Sequence, residues 1–316
     1  MHSSFYKLQF TCFLIFSFTA LQAQYTETIN SNRPGTSQGA FSVGTGVLQL
    51  EAGGYFGNDN HSLRRADTDI IGADYSLRYG LFFEALEISL MGAFQAETTT
   101  IPIGANDVEF KRSNFRANTL GVKYMIFDPF VSIEPDKPNL YSWKANQRFK
   151  WKTLIPAVAV YAGANFSFGE NPYLYEGENT ITPKIALITQ NNWRGGWVFV
   201  TNIIADKLSE DEPSFAGIFT LTHAFTPKFA GFLEYQAIVG NIYADDLART
   251  GVALLVGSNL QFDVSGLINF KDTPSRWQIA AGFSYRLDMH EQDEFLEDSY
   301  EGDRRRLRSE QQEVLD

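Results

Sequence analysis

The sequence predicts an all-β fold: a transmembrane, antiparallel, up-and-down β-barrel of about 12 strands. Three observations predict it. The chain opens with an export signal, its body alternates apolar and polar residues with period two, and its links alternate between long polar stretches and tight turns. Apolar-out, polar-in alternation is what a strand needs when lipid lies on one side and a lumen on the other. A soluble sandwich also alternates, but it has no reason to alternate its loop lengths.

Residues 1–23 carry one firm positive charge, Lys7, and no acid. An apolar stretch runs from Leu8 to Leu21 and ends in Leu21-Gln22-Ala23, a small-residue cleavage site before Gln24. This is the pattern of a secretory signal peptide. The apolar run is shorter than the roughly 20 residues of a spanning helix. No later segment offers 18 apolar residues in succession, so a membrane-resident chain must cross as a barrel. The single cysteine, Cys12, falls in the signal, leaving no thiol for a disulfide or a Cys-ligated metal. A net charge of −11 excludes the basic face of a nucleic-acid binder.

Residues 24–45 are polar and glycine-bearing, with Arg33 as their only base, and read as a periplasmic leader or plug segment. An isolated Arg33-Pro34-Gly35 next to an acid-bearing lumen points to a pair with a carboxylate such as Glu51 or Asp263. The barrel is expected over 46–288. Its strands fall near 46–56, 68–79, 82–96, 115–127, 153–168, 181–192, 196–206, 214–225, 228–240, 249–258, 259–271 and 276–288. The last is clearest: Trp277, Ile279, Ala281, Phe283, Tyr285 and Leu287 share one face, and Gln278, Gly282, Ser284 and Arg286 the other. The even strand count suits a bacterial barrel, and each run meets the ~9–11 residues of a tilted crossing.

Links one, three, five and seven (GNDNHSLRRAD, 97–114, GENPYLYEGENT and DKLSEDEP) are long and polar, as external loops are. Links two, six, eight and ten are tight, as periplasmic turns are. The fourth, 128–152, departs from the alternation and carries Pro129, Pro135 and Pro138. Residues 289–316 hold ten acids and four arginines and read as a charged, disordered periplasmic tail.

Strand parity turns Glu51, Asp74, Arg78, Glu87, Lys123, Glu234, Asp263 and Arg286 inward. With Arg33 these are the candidate binding residues of the lumen. They serve either as ion pairs that hold the wall or as the lining of a polar conduit.

Asn32-Arg33-Pro34-Gly35, followed by Gly46-Val47-Leu48-Gln49-Leu50-Glu51, resembles the opening of the MetA-pathway phenol-degradation family, outer-membrane barrels often labelled as transporters. Leu77-Arg78-Tyr79-Gly80-Leu81, Phe232-Leu233-Glu234-Tyr235, Gln261-Phe262-Asp263-Val264 and Ala281-Gly282-Phe283-Ser284-Tyr285-Arg286-Leu287 are similar to its later strands, so the resemblance spans about residues 30–288. It implies a barrel of the Gram-negative outer membrane and, by name, uptake of hydrophobic solutes. One departure is clear. Barrel chains usually finish on an aromatic residue, whereas here Gly282, Tyr285 and Leu287 have that spacing and a further stretch follows.

The expected function is passive passage of small organic, aromatic or hydrophobic solutes, without cofactor or metal. The expected partners are outer-membrane lipid, the barrel-insertion machinery and a small organic solute, with no nucleic acid. The alternatives are a closed structural or surface-interaction barrel and, behind it, a lipid-modifying enzyme. Against an enzyme, His61, His223 and His290 are the only histidines after the signal and sit in a loop, a strand end and the tail.

Overall fold

The computed structural model describes residues 29–104, 106–133, 141–142, 151–175 and 177–289. The expected signal peptide and nearly all of the expected charged tail lie outside the described residues.

Twelve strands form one closed antiparallel barrel: β1 (Val47–His61), β2 (Ala66–Gly80), β3 (Leu86–Ile103), β4 (Asn106–Phe127), β5 (Ala157–Phe166), β6 (Ile181–Trp193), β7 (Trp197–Asp206), β8 (Ser214–Thr226), β9 (Phe229–Val239), β10 (Asp245–Val256), β11 (Leu260–Asn269) and β12 (Ser275–Asp288). Each strand pairs with its sequence neighbour, and β12 returns to pair with β1, Val47 opposite Asp288 and Asn60 opposite Ser275.

The barrel is apolar outside and polar inside. Phe56, Ile71, Leu120, Leu233, Val264 and Ile279 are exposed on its outer face. Gln49, Glu51, Arg78, Glu87, Lys123, Glu234 and Asp263 are buried within. An outer face of this kind belongs in hydrocarbon, and the closed sheet leaves no unpaired strand edge there. The end that carries both barrel termini and the tight turns is periplasmic by the usual construction of such barrels. Around that rim Trp197 stacks on His223 with ring centroids 4.1 Å apart, and Phe225 lies 4.8 Å from the same imidazole. His223 thus belongs to an interfacial aromatic girdle.

Several expected boundaries are corrected. β1 continues to His61, so the first link shrinks to a turn. The expected third loop, 97–114, is instead the arm of an extended β3–β4 hairpin, with Glu97 opposite Arg112 and Thr99 opposite Phe110. Its polarity suggested a loop, but Thr98-Thr99-Thr100-Ile101 is β-branched throughout, and Gly104 supplies the positive φ of 68° at the tip. The 22 residues of β4 span roughly 70 Å, far more than the apolar band needs, so the arm stands beyond the membrane. β5 starts at Ala157 rather than 153, because Trp151–Leu154 is a 3-10 turn, and β10 starts at Asp245 rather than 249.

The long fourth link begins with a short helix, α1 (Pro129–Ser132), whose first turn is capped by Asp128 accepting from the Phe130 N–H at 2.8 Å. Phe130 packs against Phe41 with centroids 6.2 Å apart. Part of this link therefore folds beneath the periplasmic mouth, which gives its start a packing role.

Candidate functional site: a luminal segment and the chamber above it

Residues 29–45 run inside the barrel and follow its wall almost completely round. The Ile29 N–H bonds the Ser258 carbonyl in the β10–β11 turn. Asn32 donates to Glu51 on β1 at 3.2 Å. Thr36 and Ser37 donate to Glu234 on β9, and Gln38 to Asn202 on β7. Ala40 donates to Gln190 on β6, Lys123 on β4 donates to the Gly39 and Phe41 carbonyls, and Val43 donates to Glu87 on β3. Thr45 finally bridges to Gly80 at the end of β2. A segment without regular structure must place its backbone groups somewhere, and here the inward polar side chains take them.

Arg33 occupies a slot built by register. Asp74 on β2, Gly53 on β1, Gly282 on β12 and Asp263 on β11 lie in one row across four adjacent strands. All four face inward. A Cβ on either glycine would collide with the Arg33 guanidinium, so the two bare backbones form the floor of the slot. The aspartates form its ends. Asp263 takes Nε at 3.1 Å and Nη2 at 3.0 Å, a bidentate fork, and Asp74 takes Nη1. The Gln261 side-chain amide donates to the Arg33 carbonyl at 3.0 Å.

A second cluster lies nearer the periplasmic rim. Arg78 donates to Glu87 through Nε (2.8 Å) and Nη2 (2.9 Å) and to Glu51 through Nη1 (3.1 Å). Its Nη1 also reaches the Asn30 carbonyl at 2.8 Å. Lys123 lies 3.2 Å from Glu87. Two cations and two carboxylates, all buried, thus neutralise each other and hold both ends of the segment. Buried charge is tolerable only when paired and hydrogen-bonded in this way.

The nine residues expected from sequence therefore separate into groups. Arg33, Asp74 and Asp263 meet in the slot. Glu51, Arg78, Glu87 and Lys123 meet in the second cluster. Glu234 stands apart with the Thr36 and Ser37 amides, the Thr220 hydroxyl and Arg249. Arg286 pairs with Asp288 at 3.1 Å. Arg33 meets Asp263, while Glu51 binds the neighbouring Asn32 amide. Sequence reasoning did not select Arg249, Asn202 or Gln190. Arg249 stood at the expected edge of its strand, and an amide side chain facing inward looks like any other polar position.

Above the segment a cavity of about 1020 Å3 opens toward the extracellular loops, with Thr36 and Arg249 at its floor. None of the nine residues lines it. The β5–β6 link folds into this space: Tyr173 donates to the Gln95 carbonyl at 3.0 Å, and Arg112 lies over its ring at 4.7 Å while pairing with Glu97 at 2.6 Å. Opposite, Arg276 pairs with Asp59 and donates to the Tyr243 hydroxyl at 2.9 Å. Burial pushes the Tyr173 hydroxyl up to about 12, with Glu97 adding to the rise and Arg112 opposing it. Burial also pushes Tyr243 up to about 12, opposed by Arg276 and helped by the hydrogen bond to Asp245. Both therefore stay neutral donors at physiological pH. Below the segment a cavity of about 250 Å3 lies against Val198, Val200, Thr220 and Phe232.

No curated protein matches the sequence. Among solved structures, the fold is similar to an outer membrane channel from Pseudomonas putida F1, with 8% identity and a TM-score of 0.52 over 82% of this chain and 100% of that one. It is also similar to the transport unit of the autotransporter AIDA-I from Escherichia coli, with 10% identity and a TM-score of 0.46 over 81% and 92%. The translocator domain of the autotransporter NalP from Neisseria meningitidis aligns with 10% identity and a TM-score of 0.44 over 77% and 89%. At these identities the likeness is one of fold. The family assignment is carried by the sequence itself: residues 31–287, from the start of the luminal segment to the end of the last strand, match the family described as "Putative MetA-pathway of phenol degradation", and the chain belongs to it.

Proposed function

We propose that the chain is a passive outer-membrane channel for small organic solutes, in which residues 29–45 act as a built-in plug that sets the passage. One observation carries this reading. The segment separates a chamber of about 1020 Å3 on the extracellular side from one of about 250 Å3 on the periplasmic side, so any through-path runs past it. Two further facts support the same reading: the family is described by a pathway for an aromatic compound, and the Pseudomonas barrel of similar fold is an outer membrane channel. Diffusion down a gradient is sufficient to drive such a passage.

The test is planar-bilayer conductance together with phenol entry into proteoliposomes, for the full chain and for a chain lacking residues 31–44. Conductance is expected for the full chain and is expected to rise several-fold on deletion. Equal conductance overturns the plug. A full chain and a deletion that are both folded, by heat-modifiable gel mobility, and both silent overturn the channel in favour of a closed structural barrel.

A further inference from the structure

β4 carries an irregularity at membrane height. Phe94 pairs with Phe115 and Ala93 with Ala117, so Arg116 is the extra residue of a β-bulge. Strict alternation would send it to the lipid, since Ala117, Thr119, Gly121 and Lys123 on the same strand are the inward positions. The bulge redirects it: Arg116 lines the large extracellular chamber, and its charge acts on Tyr55 and Tyr173. Bulges re-aim side chains in this way next to functional sites. A cation at this depth on the outer face would be costly, whereas in the chamber it has water and a use.

The chamber around it has a distinct chemistry. Seven of its lining side chains are Lys or Arg and four are Asp or Glu, although the whole chain has 37 acids against 26 bases. Arg112, Arg276 and Arg249 are each held by a carboxylate: Glu97, Asp59 and Glu234. Arg116 has no ion-pair partner among the described residues. It lines the same chamber as Tyr173, whose ring holds the Arg112 guanidinium 4.7 Å from its centroid.

We infer that this chamber is a recognition site for aromatic carboxylates, in which Arg116 binds the carboxylate and Tyr173, with Arg112 behind it, takes the ring. The inference rests on the channel reading and narrows its solute to planar aromatic monoanions. Arg64 also lacks an ion pair among the described residues but stands out in the β1–β2 turn. On the wall that carries the bulge, one uncompensated guanidinium therefore selects a single negative charge, and the fork of an arginine matches a carboxylate. The excess of basic side chains attracts such solutes into the mouth against the net negative charge of the chain.

Calorimetry on the folded full-length barrel in detergent tests this with benzoate, phenol, acetate and inorganic phosphate as probes. Benzoate is expected to bind, with phenol, acetate and phosphate each weaker by about ten-fold or more, the loss expected when one charge-assisted contact or the ring is removed. Arg116→Ala is expected to weaken benzoate by a similar factor, Arg116→Lys to retain part of it, and both to keep heat-modifiable mobility. Phenol equal to benzoate, phosphate equal to benzoate, or an unchanged Arg116→Ala overturns the proposal. Binding does not require conduction, so the two readings fail separately. A silent barrel that binds benzoate through Arg116 overturns the channel and leaves the site. A conducting barrel without benzoate preference overturns the site alone.

Discussion

The two halves of the lumen wall hold the same segment by opposite means. From β11 through β12 to β4 the inward residues are charged or amide-bearing: Asp263, Arg286, Gln49, Glu51, Arg78, Glu87 and Lys123 are buried there. From β5 to β9 they are mostly apolar: Ala157, Ala159, Ala186, Ile188, Val200, Ile218 and Phe232. The segment matches this division. Arg33 faces the charged half, and Ala40 and Phe41 pack with Ala85, Met125, Ala157, Ala159 and Ile188 toward the other. Where the apolar side meets the segment, Gln190, Asn202, Thr220 and Glu234 are polar, and apart from Thr220, which supports Glu234, each bonds the segment backbone directly. Charge fixes the position of one side of the segment, while packing closes the other. Displacing the segment from paired charges costs more than parting it from an apolar wall. The small periplasmic chamber lies on the apolar side, against Val198, Val200 and Phe232.

The comparison breaks first, if it is wrong, at Arg78. Arg78→Ala leaves Glu51 and Glu87 buried with only Lys123, and is expected to lower barrel stability by about 3–5 kcal/mol in urea unfolding. A loss below about 1 kcal/mol would mean that the charged half does not carry the segment. Arg33→Glu puts a third carboxylate between Asp74 and Asp263. It is expected to cost about 3 kcal/mol and to raise single-channel conductance, because the segment is expelled from its slot; unchanged conductance removes the slot from any role in the passage. On the apolar half, Ile188→Ala is expected to cost about 2–3 kcal/mol, by thermal melting, as a cavity opens beside Ala40. Its conductance should increase less than that of Arg33→Glu. The smallest effect is expected for Asn202→Ala, about 1–2 kcal/mol, since it removes one paired backbone contact at Gln38. Amide hydrogen exchange at Gln38, faster in this variant and unchanged at Asn32, would sharpen the distinction between the halves.

The strands were legible because period two is forced at every crossing, and the charged inward residues followed from parity. Arg33 was legible because it is the only base in its stretch. The hairpin arm of β3 and β4 was not, because outside the membrane a strand loses its apolar face and looks like a loop. Arg249 was obscured by its neighbours. Leu247 and Gly251 face inward and Ala248 and Thr250 outward, so polarity does not separate the two sides of β10 there. Arg116 was hidden for a different reason: alternation assigns it to the wrong face, and only the pairing of Phe115 and Ala117 with consecutive β3 residues shows the bulge. The slot itself was out of reach of local pattern, because its four wall residues come from strands at both ends of the chain.

That slot also dates the steps of assembly. Its floor exists only when β12 lies beside β1, and its two carboxylates come from β2 and β11, on either side of that last pairing. Arg33 is 230 residues from Asp263 in sequence and only 41 from Asp74. Among the earliest parts of the chain to be made, the segment is among the last to find its place, and once there the guanidinium ties the second strand to the eleventh like a clasp fastened over a closed ring. The guanidinium can therefore be fastened only once that ring of strands is complete.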